Sequence, residues 1–270
     1  MTDYEKTNRA SWNEFAEDYQ AENAAQIMPQ AFTGELCWGT WHIPEAQLQV
    51  LGDVGGKDVL ELGSGAAQMS MALARHGARA IGLDLSESQL AIARRLMRET
   101  GITIPIVQGS GERTPFGNES FDVVFSDYGA LFWADPNLTV PEVARLLRPG
   151  GLLAFTNYSP ISTIATPYGA EHSQKRFVND YFGIHTVPLS DGTISFQLPY
   201  GEWTQLFRRC GLFVEELIEP RPDENTSSTY ADAEDLRWSR RWPWECIWRV
   251  RKPDERARGK DDKRHSSPSG

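Results

Sequence analysis

The residues whose spacing carries the most chemistry are Val59-Leu60-Glu61-Leu62-Gly63-Ser64-Gly65-Ala66-Ala67-Gln68, followed nineteen positions after Gly65 by Asp84. An apolar run that ends in glycines and passes into a helical stretch lets the backbone approach a ligand closely. It also offers that ligand the free N–H groups of a helix start. A carboxylate at the end of the following strand can accept both hydroxyls of a ribose. A dinucleotide fingerprint needs a third glycine where this chain has Gln68. Together these features describe a nucleoside site without a pyrophosphate clamp.

Such a site needs a parallel sheet to hold it. From Asp58 onward, strand-like runs at 59–62 and 79–83 alternate with helical stretches at 69–76 and 86–99, which predicts parallel strands with right-handed crossovers. Ser86 with Gln89 three residues on predicts a capping box, on a helix that turns Leu90, Ala93, Leu96 and Met97 to the sheet. Further strands are expected at 102–107, 121–125, 152–156, 212–218 and 244–250, with helices ending near Leu147 and spanning 201–210. In the last strand Trp244, Cys246 and Trp248 alternate, as at a sheet edge or dimer contact. Residues 157–199 interrupt the alternation with a hairpin, 184–189 and 193–198, joined through Ser190-Asp191-Gly192. An insertion after a sheet strand on the ligand side predicts a lid or cap. Ahead of the sheet, Trp12, Phe15, Ala16 and Tyr19 predict one amphipathic helix over 11–20, and Pro44 opens another running through Leu51. The expected organisation is a helical segment 1–56 closing the site, a domain 57–251 with its cap at 157–199, and a disordered polar tail 252–270.

The glycine turn and Asp84 resemble motifs I and II of the class I S-adenosylmethionine-dependent methyltransferases, specifically the small-molecule, ubiquinone/menaquinone-type group. Thr114-Pro115-Phe116, Ser120-Phe121-Asp122-Val123-Val124 and Leu147-Arg148-Pro149-Gly150-Gly151 follow in that family's order, and the likeness covers most of residues 11–250. The resemblance implies an α/β, Rossmann-like class I methyltransferase fold: a seven-stranded, mostly parallel sheet with a cap insertion, binding S-adenosyl-L-methionine. It implies Glu61 at the methionine end of the cofactor, with the Gly63, Ser64 and Gly65 backbone passing beside it. Asp84 would take the ribose hydroxyls, with Leu85 against the adenine. Ser110, Gly111 and Glu112 fall in the loop that reads the adenine edge, Ser126 lies where a carbonyl meets the amino group, and Tyr19 closes over the site. Gln68 and Gln89 complete the expected cofactor contacts. Two positions depart from the pattern: Ala67 where glycine is frequent, and Ser110 where aspartate is usual. A serine hydroxyl bonds adenine more weakly than a charge-assisted contact, so binding is expected with altered affinity.

Transfer from a sulfonium can be catalysed by in-line positioning with water excluded, so no catalytic side chain is required. If the acceptor is a hydroxyl or an acidic carbon, His42, His185 and Tyr128 are the candidate bases, with Asp127 beside Tyr128; His76 and His265 are set aside. Rings at Trp38, Trp41, Tyr128, Phe132 and Trp133, and at Tyr158, Tyr168, Phe177, Tyr181 and Phe182 in the insertion, suit a planar or apolar small molecule. Packing a lid onto its domain also calls for such rings.

Composition narrows the partners. The chain has 270 residues, 40% hydrophobic, and a formal charge of −10. Residues 252–270 hold six basic and four acidic groups, so the body carries about −12. That charge repels phosphate backbones, and no DNA partner is expected. Cys37, Cys210 and Cys246 have no C-x-x-C spacing and read as reduced thiols rather than metal ligands. With no targeting segment or apolar run of about eighteen residues, the chain is expected to be soluble and cytoplasmic, a monomer or homodimer. An RNA or protein methyltransferase and a non-catalytic cofactor-binding regulator stay open as alternatives, while Gln68 places a nicotinamide oxidoreductase last.

Overall fold

Seven of the apolar runs pair into one sheet in the computed structural model, which describes residues 1–254. The strands are β1 (Asp58–Leu62), β2 (Arg79–Asp84), β3 (Ile106–Gln108), β4 (Phe121–Asp127), β5 (Leu147–Tyr158), β6 (Phe213–Ile218) and β7 (Glu245–Arg251), in spatial order β6-β7-β5-β4-β1-β2-β3. Neighbours from β5 to β3 are parallel, and β7 runs antiparallel to both β5 and β6. The order reverses at β1, where Val59 pairs with Ala80 of β2 and with Val123 of β4. Ligands of open α/β sheets bind beyond the carboxyl ends of the strands at such a reversal. Gly63 and Asp84 both lie there.

The principal helices are α1 (Asp3–Glu14), α2 (Ala16–Glu22), α3 (Ala24–Thr33), α4 (Gln68–Arg75), α5 (Glu87–Thr100), α6 (Pro136–Leu146) and α7 (Tyr200–Arg209). They cover both faces, which is why the central strands read as continuous apolar runs. Leu60, Leu62 and Phe155 pack with Val140 and Val143 of α6 and Trp203 and Phe207 of α7. Val59, Phe125 and Ile247 face the other way, against Trp38, Met69 and Leu73.

Several expectations need correcting. The single helix over 11–20 is broken at Phe15, whose φ and ψ are −91° and 2°. On an unbroken helix Trp12 and Tyr19 would be about 10 Å apart along the axis; the break brings their rings edge to face at 5.1 Å. The helix expected from Pro44 stops at Leu48, because the chain wraps around the buried Glu45 carboxylate. That carboxylate accepts the amides of Val50, Leu51 and Gly52 and the indole N–H of Trp38. The third strand is shorter than 102–107, since Pro105 has no N–H to give the ladder. Ser86 Oγ does accept the Gln89 amide at 3.1 Å, but the Gln89 side chain completes no capping box; its Oε1 accepts Gln20 Nε2 instead. Strand β7 is neither an edge nor a free contact surface, as it lies between β5 and β6 with Trp248 stacked on Phe155. The hairpin forms at Thr186–Pro188 and Ile194–Phe196. Helices α3 and Ala233–Ser239 were not expected at all. The tail from residue 255 lies outside the described residues.

Candidate functional site

The glycine turn is built by close approach. Gly63 and Ser64 both donate to the Leu83 carbonyl, at 2.8 and 3.0 Å, which pulls the end of β1 against the end of β2. Gly63 has φ 75°, and a Cβ there would come within 2.3 Å of the Ala130 nitrogen. Gly65, also left-handed, donates its amide to Asp84 Oδ2 at 2.7 Å, while Asp84 Oδ1 accepts the Ser86 amide at 2.8 Å. Ala67 is left-handed as well, with φ 60° and ψ 30°, so its methyl costs about 1 kcal/mol where glycine would be free. Burial raises the Asp84 carboxyl above its ordinary range, against the pull of the Ser86 and Gly65 amides.

Glu61 projects from β1 beneath this turn. Its Oε2 accepts both the amide (3.0 Å) and the hydroxyl of Ser70, leaving Oε1 free of them. Burial pushes the Glu61 carboxyl up to about 8 despite those two bonds. Ser64 Oγ is buried without a partner. An unpaired buried hydroxyl, a buried carboxyl and a half-buried carboxylate around a glycine turn are the donor and acceptor set that a nucleoside with an amino-acid arm requires. The residues present therefore fit S-adenosylmethionine.

These groups border one cavity of about 1220 Å³, counting its open mouth. Of the residues expected from sequence, Tyr19, Glu61, Gly63, Ser64, Gly65, Gln68, Asp84, Leu85, Gln89, Ser110 and Gly111 all reach this cavity, as do His42 and Tyr128. Three do not. Ser126 is fully buried and its hydroxyl accepts the Leu131 amide. Glu112 is held by the hydroxyl of Tyr4 and by the amide of Asp135 at 2.9 Å. His185 sits on the cap hairpin, its Nε2 3.0 Å from Asp135 Oδ1 and its ring edge-on to Phe196, away from the cavity.

The aromatic wall also differs from expectation. Trp38 and Trp41 are buried in the core, and Phe177 and Phe182 are 66% and 86% exposed. Tyr128 and Trp133 face the cavity, together with Trp12, Tyr19 and Tyr230. The cap reaches the site indirectly: Asn8 of α1 accepts the Ile194 amide at 2.9 Å and donates to the Ile194 carbonyl at 2.8 Å.

The N-terminal helices line the cavity through Trp12 and Tyr19, singled out from sequence, and on α1 through three polar residues that were not. Glu5, Asn8, Arg9 and Trp12 all line it. Their spacing of i, i+3, i+4 and i+7 is a helical face, a signal masked by its polarity. Gln20 joins two sides of the site, accepting from Gln68 at 2.5 Å and donating to Gln89 at 3.1 Å. Tyr230, on a loop before Ala233–Ser239, bonds the Tyr19 hydroxyl at 3.0 Å, and no local pattern announced it. Asp127, the last residue of β4, accepts the Gly39 amide on both oxygens, and burial pushes it up to about 6. Glu35, Cys37 and His42 bring ligand-type atoms within 4.8 Å of one another, a grouping that sequence spacing did not suggest. Burial and the neighbouring Glu35 push the Cys37 thiol up to about 12, and burial lowers His42 below the usual histidine range.

Residues 60–155 match the family described as a methyltransferase domain. The chain is 35% identical over 117 residues to the phthiotriol/phenolphthiotriol dimycocerosates methyltransferase of Mycobacterium tuberculosis, covering 42% of each chain. It is 29% identical over 177 residues to the ubiquinone biosynthesis O-methyltransferase of Pseudomonas fluorescens, covering 62% of this chain and 68% of that protein. The chain thus spans less than half the length of the mycobacterial relative. Among solved structures, an S-adenosylmethionine-dependent methyltransferase from Mesorhizobium loti superposes with a TM-score of 0.63 at 25% identity, over 76% of this chain and 95% of that one. The 1,6-didemethyltoxoflavin-N1-methyltransferase of Burkholderia thailandensis, solved with S-adenosylhomocysteine, shares the fold at a TM-score of 0.56 and 16% identity, over 92% and 87%. Among the described residues no helix is long and apolar enough to cross a membrane.

Proposed function

We propose that this chain, a member of the class I S-adenosylmethionine-dependent methyltransferases, methylates a small acceptor with an apolar or aromatic body. The observation that carries the reading is the junction of Gly65 with Asp84: the carboxylate is fixed by two amides at the strand reversal, beside a glycine turn too tight for a side chain. The bound cofactor supplies an electrophilic methyl group on a sulfonium. Asp84 keeps lone pairs for the ribose hydroxyls, and Leu85, Ser110 and Gly111 border the adenine. Glu61 Oε1 and the backbone from Gly63 to Gly65 hold the methionine arm, with Gln68 and Gln89 alongside. Residues 1–56 act as the closing segment, where Trp12 and Tyr19 exclude water. Residues 157–199 act as a cap that steadies α1. The names of the two relatives refer to dimycocerosates and to ubiquinone biosynthesis, which supports an apolar acceptor here.

Calorimetric titration with S-adenosylhomocysteine is expected to show one site per chain with a matching rise in melting temperature. No heat and no thermal shift reject the reading. Labelled S-adenosylmethionine offered with a metabolite extract, total RNA or total protein is then expected to label the small-molecule fraction.

A further inference from the structure

The charge and shape of the cavity identify a class of acceptor. The rings of Trp12, Tyr19, Tyr128, Trp133 and Tyr230 line the cavity, Trp12 meeting Tyr19 and Trp133 edge to face and Tyr19 meeting Tyr230, and Asp127 lines it too, close enough to act on Tyr19 and Tyr230. Asp127 accepts the Gly39 N–H between its two oxygens at 3.1 and 3.2 Å and has the Thr156 hydroxyl beside it, which still leaves acceptor capacity for a ligand. Behind Tyr128 lies a further carboxylate, Glu245, wholly buried, with Oε1 unpartnered.

Little positive charge balances this wall. The lining holds four acidic side chains, Glu5, Glu61, Asp84 and Asp127, of which burial keeps Glu61 mostly protonated near neutral pH. Among the described residues its one Lys or Arg is Arg9, whose guanidinium is already committed to Glu87 through two bonds of 2.9 and 2.8 Å. Burial lowers the His42 imidazole below the usual histidine range, against the pull of Glu35. A phenolate, carboxylate or phosphate on the acceptor would therefore find no uncommitted Lys or Arg in the described lining, whereas an ammonium meets a carboxylate and ring faces that attract it.

We propose that the acceptor is an amine on an aromatic or apolar body, bound as its ammonium between Asp127 and the surrounding rings and methylated on nitrogen. The proposal rests on the methyltransferase reading above. In the step itself, an N–H proton passes to an Asp127 oxygen. The freed nitrogen lone pair forms the N–CH3 bond while the methyl–sulfur bond breaks, its electron pair staying on sulfur. The products are an N-methylammonium, protonated Asp127 and S-adenosylhomocysteine, with charge conserved. A carboxylate brought to about 6 is ionised at neutral pH yet close enough to accept a proton.

The test titrates protein saturated with S-adenosylhomocysteine against three probes of one shape: 2-phenylethylamine, 2-phenylethanol and 3-phenylpropionate. The amine is expected to bind at least tenfold tighter than the alcohol, and the acid not to bind. Asp127→Asn is expected to remove the amine's advantage while changing S-adenosylhomocysteine affinity less than threefold. No preference for the amine, or a preference that survives Asp127→Asn, overturns the proposal. So does a tenfold loss of S-adenosylhomocysteine affinity in that variant, which assigns Asp127 to the cofactor's own ammonium. If Asp127→Asn does not fold, the three-probe comparison on the unaltered protein decides. Failure of S-adenosylhomocysteine to bind at all counts against the methyltransferase reading instead, and thermal shifts with the same probes on the ligand-free protein still measure the charge preference.

Discussion

The carboxylate of Glu245 accepts the hydroxyl hydrogen of Tyr128 at 2.8 Å, linking β7 to the residue that follows β4. The same oxygen accepts the Thr40 amide, also at 2.8 Å, so one side chain holds the 39–42 loop against the ring that lines the cavity. Gly39 fits only because it lacks a side chain: a Cβ there would lie 2.5 Å from Glu245. Replacing Glu245 by alanine strands a buried hydroxyl and a buried amide, and is expected to destabilise the fold by about 2–4 kcal/mol. Glu245→Gln keeps an acceptor and is expected to cost about 1 kcal/mol. Urea unfolding of the two variants checks the order, and equal losses contradict it.

The buried carboxylates give stability a definite pH slope. Burial raises Glu61 to about 8, Glu245 to about 7 and Asp127 to about 6, from ordinary values of 4.5, 4.5 and 3.8. The folded protein therefore holds protons that the unfolded chain releases. The resulting stabilisation is complete below the unfolded values and is lost as pH rises through the folded ones. Without ligand, the melting temperature is expected to fall between pH 5 and 8, on the order of 5 °C or more. Glu61→Gln and Glu245→Gln are expected to flatten the slope in differential scanning calorimetry. A melting temperature that climbs over this range contradicts the assignment.

Asp84→Asn retains an oxygen for one backbone amide but loses the charge that would strengthen the proposed ribose bonds. The expected loss is about 1.5–3 kcal/mol, or ten- to a hundredfold in S-adenosylhomocysteine affinity by calorimetry. An unchanged affinity would mean that the ribose lies elsewhere.

Gly63→Ala forces a methyl group into the Ala130 amide at a backbone angle that side chains avoid. Strain and overpacking together are expected to remove about 3 kcal/mol. Denaturant unfolding reads the loss, and a variant as stable as the parent removes the close-approach argument.

Gln20→Ala cuts the amide chain from Gln68 to Gln89, whereas Arg9→Ala cuts an exposed ion pair to Glu87. Hydrogen exchange in α1–α3 is expected to quicken markedly in the first variant and little in the second, since exposed pairs contribute about 0–1 kcal/mol. The reverse order would place the hold on these helices at their surface.

What the sequence made legible is what neighbours in sequence encode. The glycine turn, Asp84, the Ser86 cap and the alternation of β1, α4, β2 and α5 follow from spacings of under thirty residues. The contacts that finish the site span far more: 117 positions from Tyr128 to Glu245 and 205 from Thr40 to Glu245. No periodicity foretells such pairs. Helix α3 was hidden by Pro29 in its interior, and the wrap around Glu45 by a side chain that replaces helical hydrogen bonds with its own. The aromatic walls were misplaced because a ring's chemistry does not reveal which way it faces.

The two hydrogen bonds between Asn8 and the Ile194 backbone tie α1 to the hairpin. Helix α1 cannot swing outward without either breaking that pair or dragging the hairpin along. Residence time of any occupant is then expected to depend in part on the Ser190-Asp191-Gly192 turn, which does not line the cavity. Lengthening or stiffening that turn is expected to change how fast an occupant leaves while the residues lining the cavity stay the same.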